Sequence, residues 1–266
     1  MTTNPTWPEI VDNLYPGQQA ADRPDIISRV FCLKQKILVE MITTKDIFGR
    51  SSGNTWNDEF QKRILPHSHN LFWIDNFVIT PENIDLVISA EIPDPLTDPI
   101  LYEIVTQHMI HGPCSHHNPT APCMENGVCS KGFPKEYQAS TVVGEGSYPL
   151  YKRRSPMQGG RSIEKFCYRD GLRTVVIVDN SWIVPYSPFL SRQMNCHINV
   201  EICSSVNSIK YILKYTHKGT DRAAYNLQSP GLDEISEYEN HRYVYCSLLS
   251  NFHLIDLDLT PYVKLL

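Results

Sequence analysis

What the chain lacks narrows its function before any motif is read. It has no surplus of positive charge: 24 Lys and Arg stand against 29 Asp and Glu, a net charge of −5 over 266 residues. That excludes a generally basic, histone-like nucleic-acid binder, although a local basic patch can survive an acidic total. No apolar run approaches the roughly 18 residues that a spanning helix needs; the longest, such as Thr174 to Val178, are strand-sized. The first residues, MTTNPTWPEI, carry no charged-then-apolar leader pattern, so a soluble, intracellular protein without a membrane partner is expected. No Gly-x-x-x-x-Gly-Lys-Ser/Thr loop occurs, which leaves out ATP-driven unwinding. Internal repeats and low-complexity runs are missing as well.

What remains is ordinary globular material, 41% apolar and 20% charged, long enough for one large domain or two small ones. Residues 22–43 predict an amphipathic helix, with Ile26, Ile27, Val30, Phe31, Ile37, Leu38 and Met41 at helical spacing and Pro24 near its start. SSGNT reads as a turn leading to a hairpin, with strands Trp56–Lys62 and Ser68–Ile74 around Arg63–Pro66. Short helices are expected at Thr80–Ile92 and Pro99–His108. Residues 109–170 are rich in Gly, Pro, Cys, His and basic residues, as an insertion not held by an apolar core would be. Beyond them, LRTVVIVDNSWIVPYSP suggests two strands around Asp179-Asn180, NCHINVEIC a strand, and SVNSIKYILKYTHKG a helix stopped by Gly219. The fold class is α+β, an antiparallel sheet with helices on one face and a Cys/His-rich insertion. Its parts are 1–108, the insertion 109–170, 171–243 and a tail 244–266.

Four groups of residues could carry chemistry. In a strand, His67 and His69 point to one face and can converge on a divalent cation, with Glu59 and Gln61 sharing a face of the partner strand. Two solvent-facing histidines on an edge strand are the plain alternative. On the 205–219 helix, Tyr215 lies about 40° from Tyr211, while Val206, Ile209, Ile212 and Leu213 form a core sector at about 100–220°. Lys210, Lys214 and Lys218 flank the tyrosines on the other side. Phenols beside cations suit a nucleophilic tyrosine, and boundary tyrosines suit the same pattern. Among eight cysteines, Cys114, Cys123 and Cys129 lie among His111, His116 and His117, and with one imidazole, such as His111, could form a structural Cys₃His zinc site; free cysteines in a loop are the alternative. Cys32, Cys167, Cys196, Cys203 and Cys246 are scattered and read as small core residues. Residues 131–173 hold nine basic residues against four acidic, with Tyr137, Tyr148, Tyr151 and Tyr168 interleaved. That suits single-stranded nucleic acid or simply a solvated surface.

Taken in order, NPTWPEI, EFQKRILPHSH, ISAEIPDP, MIHGPC, PCMENGVCSKGFPKEY, YPLYKRR, VPYSP, CHINVEIC and IKYILKYTHKG resemble the helicase-like replication-initiator domain of Helitron rolling-circle transposons, one of the HUH endonucleases. The resemblance implies an HUH/Rep-like palm. It also implies metal-dependent cleavage and strand transfer of single-stranded DNA through a 5′-phosphotyrosine link. His67 and His69 would then hold Mg or Mn with Glu59 or Gln61 as third ligand, and Tyr211 and Tyr215 would be nucleophiles beside Lys214 and Lys218. Lys152, Arg153 and Arg154 would contact DNA, and the DNA partner implies a nuclear location. In the family an apolar strand precedes NPTWPEI in the central sheet, and a helicase half follows; neither is in this chain. Ser68 replaces a small apolar residue, and the tail from about Val244 leaves the pattern. The rival reading is a catalytically inactive truncated remnant that at most binds nucleic acid.

Overall fold

In the computed structural model, Pro24–Thr43 form a helix whose inner face dictates the first layer of the protein (residues described: 1–60, 65–144, 148–169, 172–203 and 262–265). This helix, α2, follows the short α1 (Pro8–Val11). Its first turn accepts Pro24 because no backbone donor is needed there. It buries Ile27, Val30, Phe31, Leu38, Met41 and Ile42. These side chains join a core with Trp7, Phe72, Ile74, Ile84, Leu190, Ile198 and Ile202, each contributing roughly 1.5–3 kcal/mol when fully buried.

The sheet alongside is antiparallel. Strand β1 (Ser51–Phe60) pairs with β2 (Pro66–Ile74) in a register running from Ser51↔Ile74 to Phe60↔Pro66. The SSGNT stretch is therefore the first half of β1 and not a turn. Ladder hydrogen bonds to a buried neighbour override the poor strand propensity of Ser, Gly and Asn, and the irregularity between Ser51 and Gly53 absorbs the misfit. Residues 61–64, including Gln61, lie outside the described residues.

The full sheet order is β1-β2-β8-β7, with β7 at Val200–Cys203 and β8 at Tyr262–Leu265. Part of the tail at 244–266 is thus a sheet component: Val263 pairs with Phe72 on one side and Ile202 on the other. Residues 1–3 fill the other half of the same gap. Ser68 N donates to Met1 O (2.8 Å), Thr3 N to Pro66 O (3.0 Å) and Thr2 N to His197 O (2.9 Å). The side of β2 away from β1 is covered by these two pieces.

NPTWPEI positions the chain that follows. Trp7 Nε1 donates to Met194 O (2.7 Å) and Asn4 Nδ2 to Asn195 O (2.7 Å), tying α1 to the end of α5 (Pro188–Met194). Helix α3 (Pro81–Val87) starts at Thr80, whose hydroxyl accepts from Asn83 N (3.2 Å). It stops short of the expected Ile92 because Ser89 pairs with Tyr186. Helix α4 (Pro99–His108) has the expected bounds, with Asp98 capping Leu101 N (3.1 Å).

A second core joins α4 to the Cys/His-rich part: Leu101, Val105, Met109, Cys114, Cys129, Val176, Val178, Trp182 and Tyr186. Two strands, β5 (Ser162–Arg169) and β6 (Leu172–Asp179), form an antiparallel ribbon. LRTVVIVD therefore pairs with SIEKFCYR and not with WIVPYSP. Asp179 accepts from Ser181 N (2.9 Å) and starts a 3-10 turn at Asn180–Trp182, after which Ile183 bridges Ile110. The boundary drawn at 170–171 falls between the ribbon's two strands. The expected helix at 205–219 lies outside the described residues. The α+β class with antiparallel sheets holds.

Candidate metal centres and the cavity they share

Strand alternation divides β2 into two chemically different faces. Ser68 and Asn70 face α2, where Gln35 receives a hydrogen bond from Ser68 Oγ (2.8 Å) and donates to Asn70 Oδ1 (2.5 Å). Asn70 Nδ2 closes the triangle on Ser68 Oγ (2.8 Å). The hydroxyl at position 68 is thereby satisfied inside the core. His67 and His69, both buried, face a cavity of about 1220 Å³, their ring centroids 4.7 Å apart. Glu59 pairs with His67 in the register, and its Oε2 lies 3.5 Å from His69 Nε2.

A third histidine stands at this end of the cavity, and sequence reasoning missed it. His197 Nδ1 faces His108 O at 2.8 Å. A carbonyl only accepts, so Nδ1 carries the proton and the neutral ring keeps its Nε2 lone pair, as in metal-binding histidines. Burial lowers the His197 pKa from the ordinary imidazole value; the hydrogen bond to His108 O opposes this, and the Met1 ammonium and the charges of His108 and His111 add to the lowering. His67 is likewise held far below the ordinary imidazole range by burial, then by the Met1 ammonium, His69 and His197. Thr2 Oγ1 sits 2.6 Å from its Nδ1. Asn199 and Glu201, two and four residues beyond His197, line the same cavity. The signal was present in CHINVEIC, where His, Asn and Glu share one strand face.

The second centre is local in sequence. Asn126 and Gly127, both at positive φ (51° and 80°), make the two-residue turn of a hairpin between β3 (Met124–Glu125) and β4 (Val128–Cys129). The hairpin puts Met124 opposite Cys129, and Ser130 N donates to Cys123 O (2.8 Å); both bring Cys123 and Cys129 together. His111 and Cys114 arrive through a turn at Gly112 (φ +86°), where a Cβ would stand 2.6 Å from Cys114 N. The ligand atoms of His111, Cys114, Cys123 and Cys129 all lie within 4.8 Å of one another, with Cys129 Sγ 3.3 Å from His111 Nε2. Among the described residues this is the one group of three or more such side chains that draws so close.

The donor set suits a tetrahedral zinc ion. Burial raises the Cys114 and Cys123 thiols, and the neighbouring thiols raise Cys123 further. His111 is kept neutral by burial and by Lys135 and Lys131. Crowded buried thiols beside a neutral imidazole are stabilised by a cation that takes their protons' place. Such an ion would be structural, because four protein ligands leave no open position.

The expected DNA-contacting triplet is largely used elsewhere. Arg153 is 4% exposed and donates through Nη1 to Asn180 O (2.7 Å) and Ile183 O (2.5 Å). It is an internal anchor for the turn after β6, where Asn180 O also accepts from Ile183 N (3.2 Å). Arg154 forms a bidentate pair with Glu91 (2.9 and 2.5 Å), and Lys152 lies 3.7 Å from Asp85. Tyr211, Tyr215, Lys214 and Lys218 lie outside the described residues, as does Gln61. Among the described residues no helix is long and apolar enough to cross a membrane.

No curated protein matches the chain. Residues 1–72, which include Glu59, His67 and His69, match the family model described as the Helitron helicase-like domain at N-terminus. The match covers 72 of 266 residues. The segment that carries the two histidines is thus similar to the Helitron helicase-like N-terminal domain, which points to a transposon-related role.

Proposed function

We propose that the chain is a metal-dependent nuclease domain that cleaves and transfers single-stranded DNA by tyrosine transesterification. The observation that carries this reading is that His67, His69, Glu59 and His197 all line one cavity large enough for a nucleotide strand. His67 and His69 would hold a divalent cation, Mg or Mn, with Glu59 or His197 completing the protein ligands. Such a cation, when bound, polarises a phosphoryl oxygen. Tyr211 or Tyr215 supplies the nucleophile: its phenol oxygen forms a bond to phosphorus as the bond to the 3′-oxygen breaks. The phenol gives up its proton and the 3′-oxygen takes one, leaving a 5′-phosphotyrosine and a free 3′-hydroxyl. Lys214 and Lys218 are the nearby cations that favour the phenolate.

The test is incubation of labelled single-stranded DNA with protein and Mn, followed by a denaturing gel. A covalent adduct is expected that disappears in Tyr211→Phe/Tyr215→Phe and in His67→Ala. Folded protein that yields no adduct refutes the nuclease reading and favours the inactive remnant.

A further inference from the structure

The lining of the shared cavity includes the His67/His69 strand with Glu59 and the loop that leaves Cys129, with Lys131 and Lys135. That loop is held by the cluster itself. Gly132 N donates to Cys129 O (2.8 Å), Ser115 Oγ to Phe133 O (3.3 Å), and the Phe133 ring stacks on His111 at 4.3 Å. Lys135 N donates to Ser181 O (2.8 Å), and its ammonium donates to Lys131 O (2.8 Å) while lying 5.0 Å from the Phe133 ring centroid. Two lysines four residues apart are thereby brought to one place by a backbone whose shape depends on four metal-ligating side chains.

Their charge is available. Lys152 and Arg154 are paired with Asp85 and Glu91 and Arg153 is anchored inside, whereas Lys131 and Lys135 form no ion pair with described residues. The cavity's lining also includes the carboxylates of Glu59, Glu125, Glu136 and Glu201, of which Glu201 acts on the Lys135 ammonium. Both lysines line the same cavity as His67 and His69, a charge placement suited to the phosphates of a single-stranded nucleic acid.

We propose that Lys131 and Lys135 are phosphate contacts for the single-stranded DNA that enters this cavity, and that metal in the His111/Cys114/Cys123/Cys129 cluster holds them in place. Zinc is then an affinity determinant for DNA as well as a structural ion. The assignment rests on the reading of the chain as a single-stranded DNA enzyme, but its test does not depend on cleavage.

The experiment measures anisotropy of a fluorescein-labelled dT15 oligonucleotide at several salt concentrations without added divalent cation. Each single-strand phosphate contact contributes about 0.7 to the slope of log affinity against log salt. Lys131→Ala/Lys135→Ala should therefore lower the slope by about 1.4, roughly a 25-fold loss at 0.1 M relative to 1 M salt. Lys152→Ala, removing a paired charge, should change affinity less than twofold. Chelator-stripped protein should show the same slope loss, with recovery on adding back one equivalent of zinc. Cys123→Ser should lose the metal and bind like the stripped protein. A double variant that binds dT15 within twofold of the parent and with the same slope overturns the assignment. So does stripped protein with an unchanged circular-dichroism spectrum that binds as well as the loaded form, or parent protein that does not bind dT15. Parent protein that binds dT15 but forms no adduct with Mn fails the nuclease reading and supports the lysine assignment on its own.

Discussion

Replacing Arg153 with Met separates an anchor from a phosphate contact. The guanidinium makes two short hydrogen bonds, to Asn180 O (2.7 Å) and Ile183 O (2.5 Å), with Ala90 O at 3.5 Å. Bonds from a charged donor are worth roughly 1.5–3 kcal/mol each, so losing two costs about 3–6 kcal/mol, although Asn180 O keeps its bond from Ile183 N (3.2 Å). Burial opposes this. It lowers the Arg153 pKa from 12.5 to about 10, a desolvation penalty on the order of 3 kcal/mol that Met does not incur. The net loss is then about 0–3 kcal/mol, or up to roughly 10 °C in melting temperature for a chain of this size. Thermal unfolding followed by circular dichroism measures the shift, and dT15 anisotropy on the folded variant measures DNA affinity. A variant that melts within 1 °C of the parent yet loses tenfold or more in affinity, an order-of-magnitude criterion for one lost charged contact, would refute the anchor and return Arg153 to the DNA surface.

Three further outcomes follow from the same geometry. Val263→Pro removes a backbone donor between Phe72 and Ile202 and should lower stability by roughly 3 kcal/mol; an unchanged urea midpoint would show that β8 contributes nothing to the sheet. Burial pushes the Glu91 carboxyl up, but hydrogen bonds from Arg154 outweigh it and hold the pKa below the ordinary 4.5. The stability this contributes is fully present above pH 4.5 and is lost as pH falls through the lower folded value. Glu91→Gln should therefore lose less melting temperature than the parent between pH 7 and pH 4, and parallel curves would contradict the ion pair's role. Extracting metal from the cluster should expose Cys114, Cys123 and Cys129 to a thiol reagent, three additional fast-reacting thiols per chain; a count unmoved by the chelator would argue against metal there.

Local chemistry was legible in the sequence wherever the partners are near in the chain. Period-two spacing put His67 and His69 on one face of β2, Asp98 and Pro99 fixed the start of α4, and Cys114, Cys123, Cys129 and His111 meet within a short segment. The Asn126-Gly127 hairpin that joins two of those cysteines was legible too, since Asn-Gly is the strongest short turn signal, but strands of two residues leave no hydrophobic alternation to flag it. Strand β8 was not legible, because four residues become a strand only when β2 and β7 present unpaired edges about sixty residues or more away in the chain. Charge counting fails for a related reason. Lys152, Arg153 and Arg154 look like one basic patch, but successive extended residues point in different directions, so one turns inward to three carbonyls and two meet separate carboxylates. Lys131 and Lys135 looked like part of a diffuse patch, yet the loop that leaves Cys129 brings both to the cavity that His67 also lines. Formal charge measures what a chain could offer to a phosphate; the hydrogen bonds already made inside the fold decide which of those charges remain to offer.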